Sequence, residues 1–315
     1  MKSPQCAKTR KRKYKFSGHQ TFAFRYGWLE KGVRGILECP DMFSREDALV
    51  HLGVGKNMVE SIRHWCLVTQ LIEEDGKSEK TGTVAMRISA IGEELLGKDG
   101  WDPFLEDDAS LWLIHWLLVS NPYIGTTWHI SFSLFQRPDF TKNELVDYVS
   151  AFVDKNSIEV NKSSLTRDID CFVRTYTPAR TMAKQTIAEE SFDCPLQELN
   201  LIQASPDGDL YRFSVGTKST LSSAVFGYAL AQYFETARGG RNTMSVQECL
   251  YGQGSPGQVF KLDENTLIMH IEELEEITHG KIALDETAGL KQIYKRHEID
   301  ALKLLKGYYK AEVQK

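Results

Sequence analysis

Residues 52–65, LGVGKNMVESIRHW, read as the turn and second helix of a helix-turn-helix. Gly53 and Gly55 supply the turn, where a sharp reversal favours residues that lack a Cβ. From Lys56 to about Val68 the apolar positions Val59, Ile62 and Cys66 recur at helical spacing on one face, with Asn57, Ser61 and His64 on the other. Upstream, Ser44 is expected to cap a first helix, SREDALVHL, with Asp47 in its opening turn against the positive end of the helix dipole. Downstream, LIEEDGKSEKTGTVAMRIS (71–89) reads as two short strands around a Gly- and Lys-rich tip, and IGEELLG (91–97) as a closing helix. Helix, turn, helix and hairpin make a winged-helix unit, with Lys77 and Lys80 in the wing.

Such a unit sets the start of its second helix in the major groove of DNA and its wing along the backbone. Asn57 is then placed to read a base edge, Lys56 and Arg63 to bind phosphate, and His64 to do either. Winged helices also serve as protein–protein modules, so the pattern alone leaves both uses open. Just before the unit lies SGHQTFAFRYGWLEK (17–31), too polar for core and too aromatic for an idle loop. Its Phe22, Phe24, Tyr26 and Trp28 alternate as in a strand with one buried face. Gln20, Arg25, Lys31 and Arg34 add groups that can reach a phosphate or a base. His19 is the candidate for proton transfer near neutral pH.

Charge is divided along the chain. The net charge is −5, yet residues 1–65 hold 13 Lys/Arg against 6 Asp/Glu, and the remaining residues hold 25 against 37. Residues 1–15 alone carry seven Lys/Arg and no acid, a flexible basic arm suited to phosphates and hence to salt-dependent binding. With 42% hydrophobic and 26% charged residues, the chain falls among soluble globular proteins. No apolar run approaches the roughly 20 residues of a membrane span, and the basic start lacks the apolar segment of a secretory signal. Six cysteines stand singly with no CxxC pair, which argues against a structural zinc or a disulfide scaffold and fits a reducing cytoplasm.

The rest of the chain is expected to be mainly α with small β-hairpins. Asp107–Val119 is an aromatic-rich central helix, while 126–135 (TTWHISFSLF) fits helix or strand equally. Thr141 caps a helix, 163–176 form another, and 199–215 make a strand, a Pro-Asp-Gly turn and a strand. Leu221–Thr236 is a long buried helix. The segment after it repeats helix, helix and hairpin, and a terminal helix runs from near Glu298 to about Tyr309. The expected organisation is thus an α+β chain of two or three winged-helix-like units: an arm (1–15), an N-terminal DNA-binding unit (16–105), a central helical core with a second unit (106–237) and a C-terminal unit (238–315).

Other apparent signals carry little. GVGK (53–56) lacks P-loop spacing, and GQGSPG (252–257) follows a helix and contains Pro256, unlike a dinucleotide fingerprint. Asp168 and Asp170 are two apart on a helix and diverge. EELEE (272–276) reads as a solvated helix face. The sequence shows no Ser/His/Asp set, no HxH and no HExxH; Glu73, Glu74 and Asp75 are the weak candidates for a metal.

Taken together, SGHQTFAFRYGWLEKG, LGVGKNMVESIRHW, LWLIHWLL with TTWHISFSLF, TRDIDCFVRTY and CPLQELNLI resemble a bacterial family catalogued as a domain of unknown function, number 4007. The resemblance covers roughly residues 16 to 310, and its first two motifs are the most specific. It implies association with a cysteine desulfurase, a phosphoadenosine-phosphosulfate-reductase-like enzyme and an ATPase, the components of single-stranded DNA phosphorothioation systems used in phage defence. It also implies DNA nicking that assists sulfur insertion; no catalytic residues carry over from it. The expected function is therefore DNA binding within such a system, with strand nicking and a divalent metal ion as the cofactor of that step. A non-catalytic adaptor that recruits the sulfur-transfer enzymes is the alternative, and a transcriptional regulator the third. DNA and the named enzymes are the expected partners, with a homodimer left open.

Overall fold

The computed structural model describes residues 13–77, 83–178, 194–237, 241–287 and 289–312. Residues 1–12 of the basic arm, and Lys80, lie outside them.

The first section runs α1 (Trp28–Glu38), a short α2 (Ala48–Leu52), α3 (Lys56–Val68), the antiparallel pair β1 (Ile72–Lys77) and β2 (Val84–Ile88), and α4 (Ala90–Leu96). The α3 boundaries follow the expected turn: Gly53 takes a left-handed φ of 64° that ends α2, and Val59, Ile62 and Cys66 are buried. Two local expectations are corrected. The 17–31 segment is not a strand but a tight turn at 18–21 that leads into α1. Ser17, Gln20 and Thr21 all have positive φ, so the chain cannot extend there, and Trp28, Leu29, Val33 and Ile36 bury one face at helical spacing. Nor does Ser44 cap α2: Met42–Ser44 form a single 3-10 turn, and α2 begins four residues after it, at Ala48. Asp47 sits at its cap position but is held by Arg45 in a two-pronged ion pair (2.8 and 2.7 Å), which keeps its carboxylate off the helix amides.

The middle of the molecule is α5 (Asp108–Val119), whose residues Ala109 to Val119 are all buried. A helix apolar on every side must be surrounded, and its few polar atoms must find partners in whatever surrounds it. Trp112 and Trp116 donate to Thr220 (3.0 Å) and Gln232 (2.7 Å), and His115 bonds Tyr176 (2.8 Å) and the Val259 carbonyl (3.0 Å). The ambiguous 126–135 stretch resolves as helix: α6 (Thr126–His129) continues into a wider π turn, Ile130–Leu134.

Two three-stranded antiparallel sheets follow. The first contains β3 (Asp139–Phe140), β4 (Ile202–Ala204) and β5 (Tyr211–Phe213), in the order β3–β5–β4. Between its first two strands lie α7 (Lys142–Lys155) and α8 (Lys162–Tyr176). Thr141 and Glu144 close a capping box on α7, as Thr141 leads one to expect. After α9 (Ser223–Ala237) the second sheet joins β6 (Thr243–Ser245), β7 (Ile282–Thr287) and β8 (Leu290–Lys295) in the order β6–β8–β7. It encloses α10 (Val246–Tyr251), α11 (Pro256–Phe260) and α12 (Glu264–Ile277). The final α13 (Ala301–Glu312) folds back: Tyr309 stacks on Trp101 (4.8 Å) and bonds Ser110 (2.8 Å). One hydrophobic cluster extends from Phe24 to Tyr309. The fold is thus α+β, and among the described residues no helix is long and apolar enough to cross a membrane.

Two of the described lysines, Lys218 and Lys261, are buried, and Lys261 is the deeper. Lys261, 6% exposed, donates to the Phe132 carbonyl (3.1 Å) and lies over the Phe213 ring (4.4 Å). Burial pushes its ammonium down to about 7. The unfolded chain, with an ordinary lysine value of about 10.4, therefore binds the extra proton between those pH values, so stability should rise with pH from about 7 to about 10 and be flat below 7. Lys261→Met is expected to be more stable than the parent by about 1–2 kcal/mol at pH 7, with the difference shrinking towards pH 10 in urea unfolding curves.

Candidate nucleic-acid interface

The turn at 17–21 is wedged between α3 and α8. From the α3 side, Ser61, fully buried rather than solvent-facing as its helix position suggested, donates to the His19 carbonyl (2.9 Å). Trp65 donates to the Phe22 carbonyl (3.0 Å), and Gln20 donates to Glu60 (2.6 Å). From the α8 side, Asp168 reaches inward. One of its oxygens accepts the Ser17 backbone N–H (2.7 Å) and the His19 Nε2–H (2.9 Å), and the other accepts the Thr127 hydroxyl (2.8 Å). Arg174 closes the far end by donating to the Thr21 carbonyl (2.6 Å).

His19 is 1% exposed and both ring nitrogens are engaged. The Thr21 backbone N–H donates to Nδ1 (3.0 Å), which leaves Nε2 to carry the proton it gives to Asp168. In this arrangement the ring holds the turn and presents no free nitrogen to solvent. His64 packs edge-on against His19 (5.9 Å), and a Cβ at Gly18 would stand 2.2 Å from its Nδ1, so only glycine lets the turn pass. Burial, with smaller contributions from His19 and Lys15, pushes His64 down to about 3; the ring is neutral and its Nε2 is buried without a partner.

The other sequence-derived candidates are spread over several places. Lys56 and Asn57 are exposed in the first turn of α3. Arg63 is half-buried, lies 4.0 Å from Glu74 on β1 and has an unpartnered Nε. Arg25 lies over the Phe22 and Trp28 rings, and Lys31 bonds the Leu52 carbonyl (3.3 Å). Lys31 and Arg34 line a cleft of about 430 Å³, but Arg34 is answered by Glu30 and Glu38. Lys77 ends β1, paired with Val84. Lys13 and Lys15 are exposed; Tyr14 between them is packed on Tyr123 and Phe152 (5.4 Å each). Tyr14, in the described end of the arm, therefore lies beside α7.

A second polar cluster, which no sequence motif marks, borders a cavity of about 1210 Å³: the Ser223 hydroxyl meets both His270 Nδ1 (2.7 Å) and the Glu273 carboxylate. Both partners act on the serine, so the order of a nucleophilic triad, with the carboxylate behind the imidazole, is not formed.

The model of the family described as "Protein of unknown function (DUF4007)" matches residues 16–309. The chain belongs to this family. Its fold is similar to that of solved SspB structures: one of SspB, with a TM-score of 0.84, and one of magnesium-ion-bound SspB, with a TM-score of 0.83. Each is 29% identical over 94% of this chain and 88% of the other. No curated protein matches.

In this DUF4007 member the three acidic candidates do not converge on one point, and each lies near an arginine. Successive side chains on β1 alternate sides; Glu73 and Asp75 both pair with Arg87 (2.9 and 3.5 Å), while Glu74 faces Arg63. Among the described residues no group of three or more His, Cys, Asp or Glu could hold a metal ion. The residue that sequence reasoning passed over is Asp168. Read beside Asp170 it looked like half of a diverging pair, and so it is: Asp170 turns outward to Lys142 (2.6 Å) and Asp168 inward. The available signal was its position beside Leu165, Ile169 and Phe172 on the apolar face of α8.

Replacing Asp168 with Ala leaves the Ser17 amide, His19 and Thr127 without their acceptor. We expect a loss of about 2–4 kcal/mol in urea unfolding and faster amide exchange at residues 17–21. Asp170→Ala, removing a solvent-accessible pair two residues along on the other side of α8, should cost under about 1 kcal/mol.

Proposed function

We propose that this chain is the DNA-binding component of a bacterial DNA phosphorothioation system. Membership of its family and the likeness to SspB support the system, and the wedged turn supports the role. The observation that carries the reading is that His19, Asp168, Ser61 and Trp65 fix a strained backbone turn beside α3. Strained turns held by surrounding bonds cluster at ligand sites, and this one leaves Lys56 and Asn57 free at the head of α3. Sulfur replaces a non-bridging phosphate oxygen, so some component must hold a phosphate still. A protein with rigid polar backbone and basic side chains suits that task, and the cysteine desulfurase, the reductase-like enzyme and the ATPase supply the chemistry.

In this reading the three helical sections, divided near residues 105 and 237, are winged-helix units. Supporting it, each three-stranded sheet pairs its first strand with the last strand of the hairpin that follows two or three helices. His19 acts as a positioning residue rather than as an acid or base, and the basic arm with Arg25, Lys31, Arg63, Lys77 and Lys80 adds phosphate contacts. The acidic C-terminal half recruits the partner enzymes. A second reading, nicking of one strand, is favoured by the magnesium ion on SspB.

Lys56→Ala/Asn57→Ala should weaken duplex or single-stranded DNA binding about tenfold at moderate salt, measured by fluorescence anisotropy; unchanged affinity would move the interface off α3. Supercoiled plasmid incubated with the pure chain and magnesium separates the two readings. Intact supercoils support the holding role, and open circles that persist in a metal-dependent way support nicking. Co-purification with the reductase-like enzyme that survives nuclease treatment would establish direct recruitment.

A further inference from the structure

The solvent face of α8 carries a charge pattern unlike that of its counterpart α12. On α8 the exposed positions are Lys162, Ser163, Thr166, Arg167 and Arg174. Its two acids do not offset them, since Asp168 is buried under the turn and Asp170 is neutralised by Lys142; Lys162 meets Asp147 of α7 (3.0 Å) in a pair so exposed that solvent screens it. In α12, which occupies the same place before its own hairpin, the sequence ENTLIMHIEELEEI contains no Lys or Arg, and Glu272, Glu273 and Glu276 are exposed. Two helices in equivalent positions thus present opposite charge.

The basic face is also continuous with the α3 surface. The 17–21 turn runs along α8, with the Ser17 hydroxyl on the Ser164 carbonyl (3.5 Å) and Thr21 under Arg174 (2.6 Å), while its other side is bonded to α3. Arg167 stands at this seam, 3.2 Å from the Ser164 hydroxyl. Exposed Lys13 and Lys15 lead into the turn from the same side, because Tyr14 is packed on Phe152 of α7, the helix against which α8 rests.

We propose that α8 is a second polynucleotide-contacting helix, in which Lys162, Arg167 and Arg174 bind phosphates so that one nucleic acid lies across α3, the 17–21 turn and α8. The inference rests on the DNA-binding reading above and extends it to the middle of the chain. Carboxylate-lined α12 repels a phosphate backbone, so the third section lies away from the nucleic acid. Arginine at the seam suits two-pronged recognition of a phosphate, for which lysine is a poorer substitute.

The test uses the full chain and a fluorescent oligonucleotide, titrated at several salt concentrations. Lys162→Ala/Arg167→Ala should bind about tenfold more weakly, and its log–log salt slope should fall by roughly 0.7–0.9 per contact removed. Arg174 is left in place because it also holds the turn; unchanged thermal unfolding of the double variant separates lost contacts from lost fold. Thr166→Glu, at an exposed position, should weaken binding further, and Glu272→Gln/Glu276→Gln on α12 should leave affinity within twofold. Parent-like affinity and slope in Lys162→Ala/Arg167→Ala, with the unaltered chain binding DNA, would overturn the α8 proposal alone. Absence of DNA binding by the unaltered chain would overturn both readings.

Discussion

A carboxylate buried without donors is too costly for a fold to keep, so wherever one is buried the chain must be arranged around it. Asp168 is that place here. Its oxygens collect the Ser17 amide, the His19 ring and the Thr127 hydroxyl, drawn from two distant parts of the sequence. The three left-handed residues of the 17–21 segment persist because these bonds, with those from Ser61, Trp65 and Arg174, determine the turn from both sides. Removing any one partner exposes the others to the penalty the cluster avoids, so the turn is rigid as a unit.

The same logic operates in α5. Its all-round burial makes it the contact between the early helices, α9, α11 and the end of α8, with His115 neutral because burial pushes it down to about 3. The sections are therefore not free modules on a string: their hydrophobic residues form one cluster, and α13 returns from the end of the chain to the start of α5. This gives the α3 and α8 faces a fixed relation to one another, which a surface spanning both requires.

Most of the fold was legible in the sequence. The glycine turn before α3, the apolar period of α3, the capping box at Thr141, the strongly apolar Leu111–Val119 and the hairpin at 199–215 are local patterns, and each element appears where its pattern lies. Reading failed where a long-range bond outweighed a local preference. Phe22 to Trp28 alternate like a strand, but Tyr26 points to Glu198 and only Phe24 and Trp28 are deeply buried. Asp47 has the chemistry of a cap but is taken by Arg45. His19, which the sequence marks as a candidate for proton transfer, has its ring nitrogens bonded to Asp168 and Thr21.

The sequence by itself determined the α+β class, the order of nearly all elements and the basic N-terminal end, because these depend on periodicity, capping residues and composition over short windows; the family showed in the resemblance of its motifs. The tertiary structure decided which of two neighbouring aspartates is buried, that the histidine of the opening motif holds a turn, and that α8 rather than α12 continues the basic surface. Those outcomes depend on contacts between residues some 40 to 150 positions apart, and on which charges are answered by a partner in space, neither of which a linear pattern encodes.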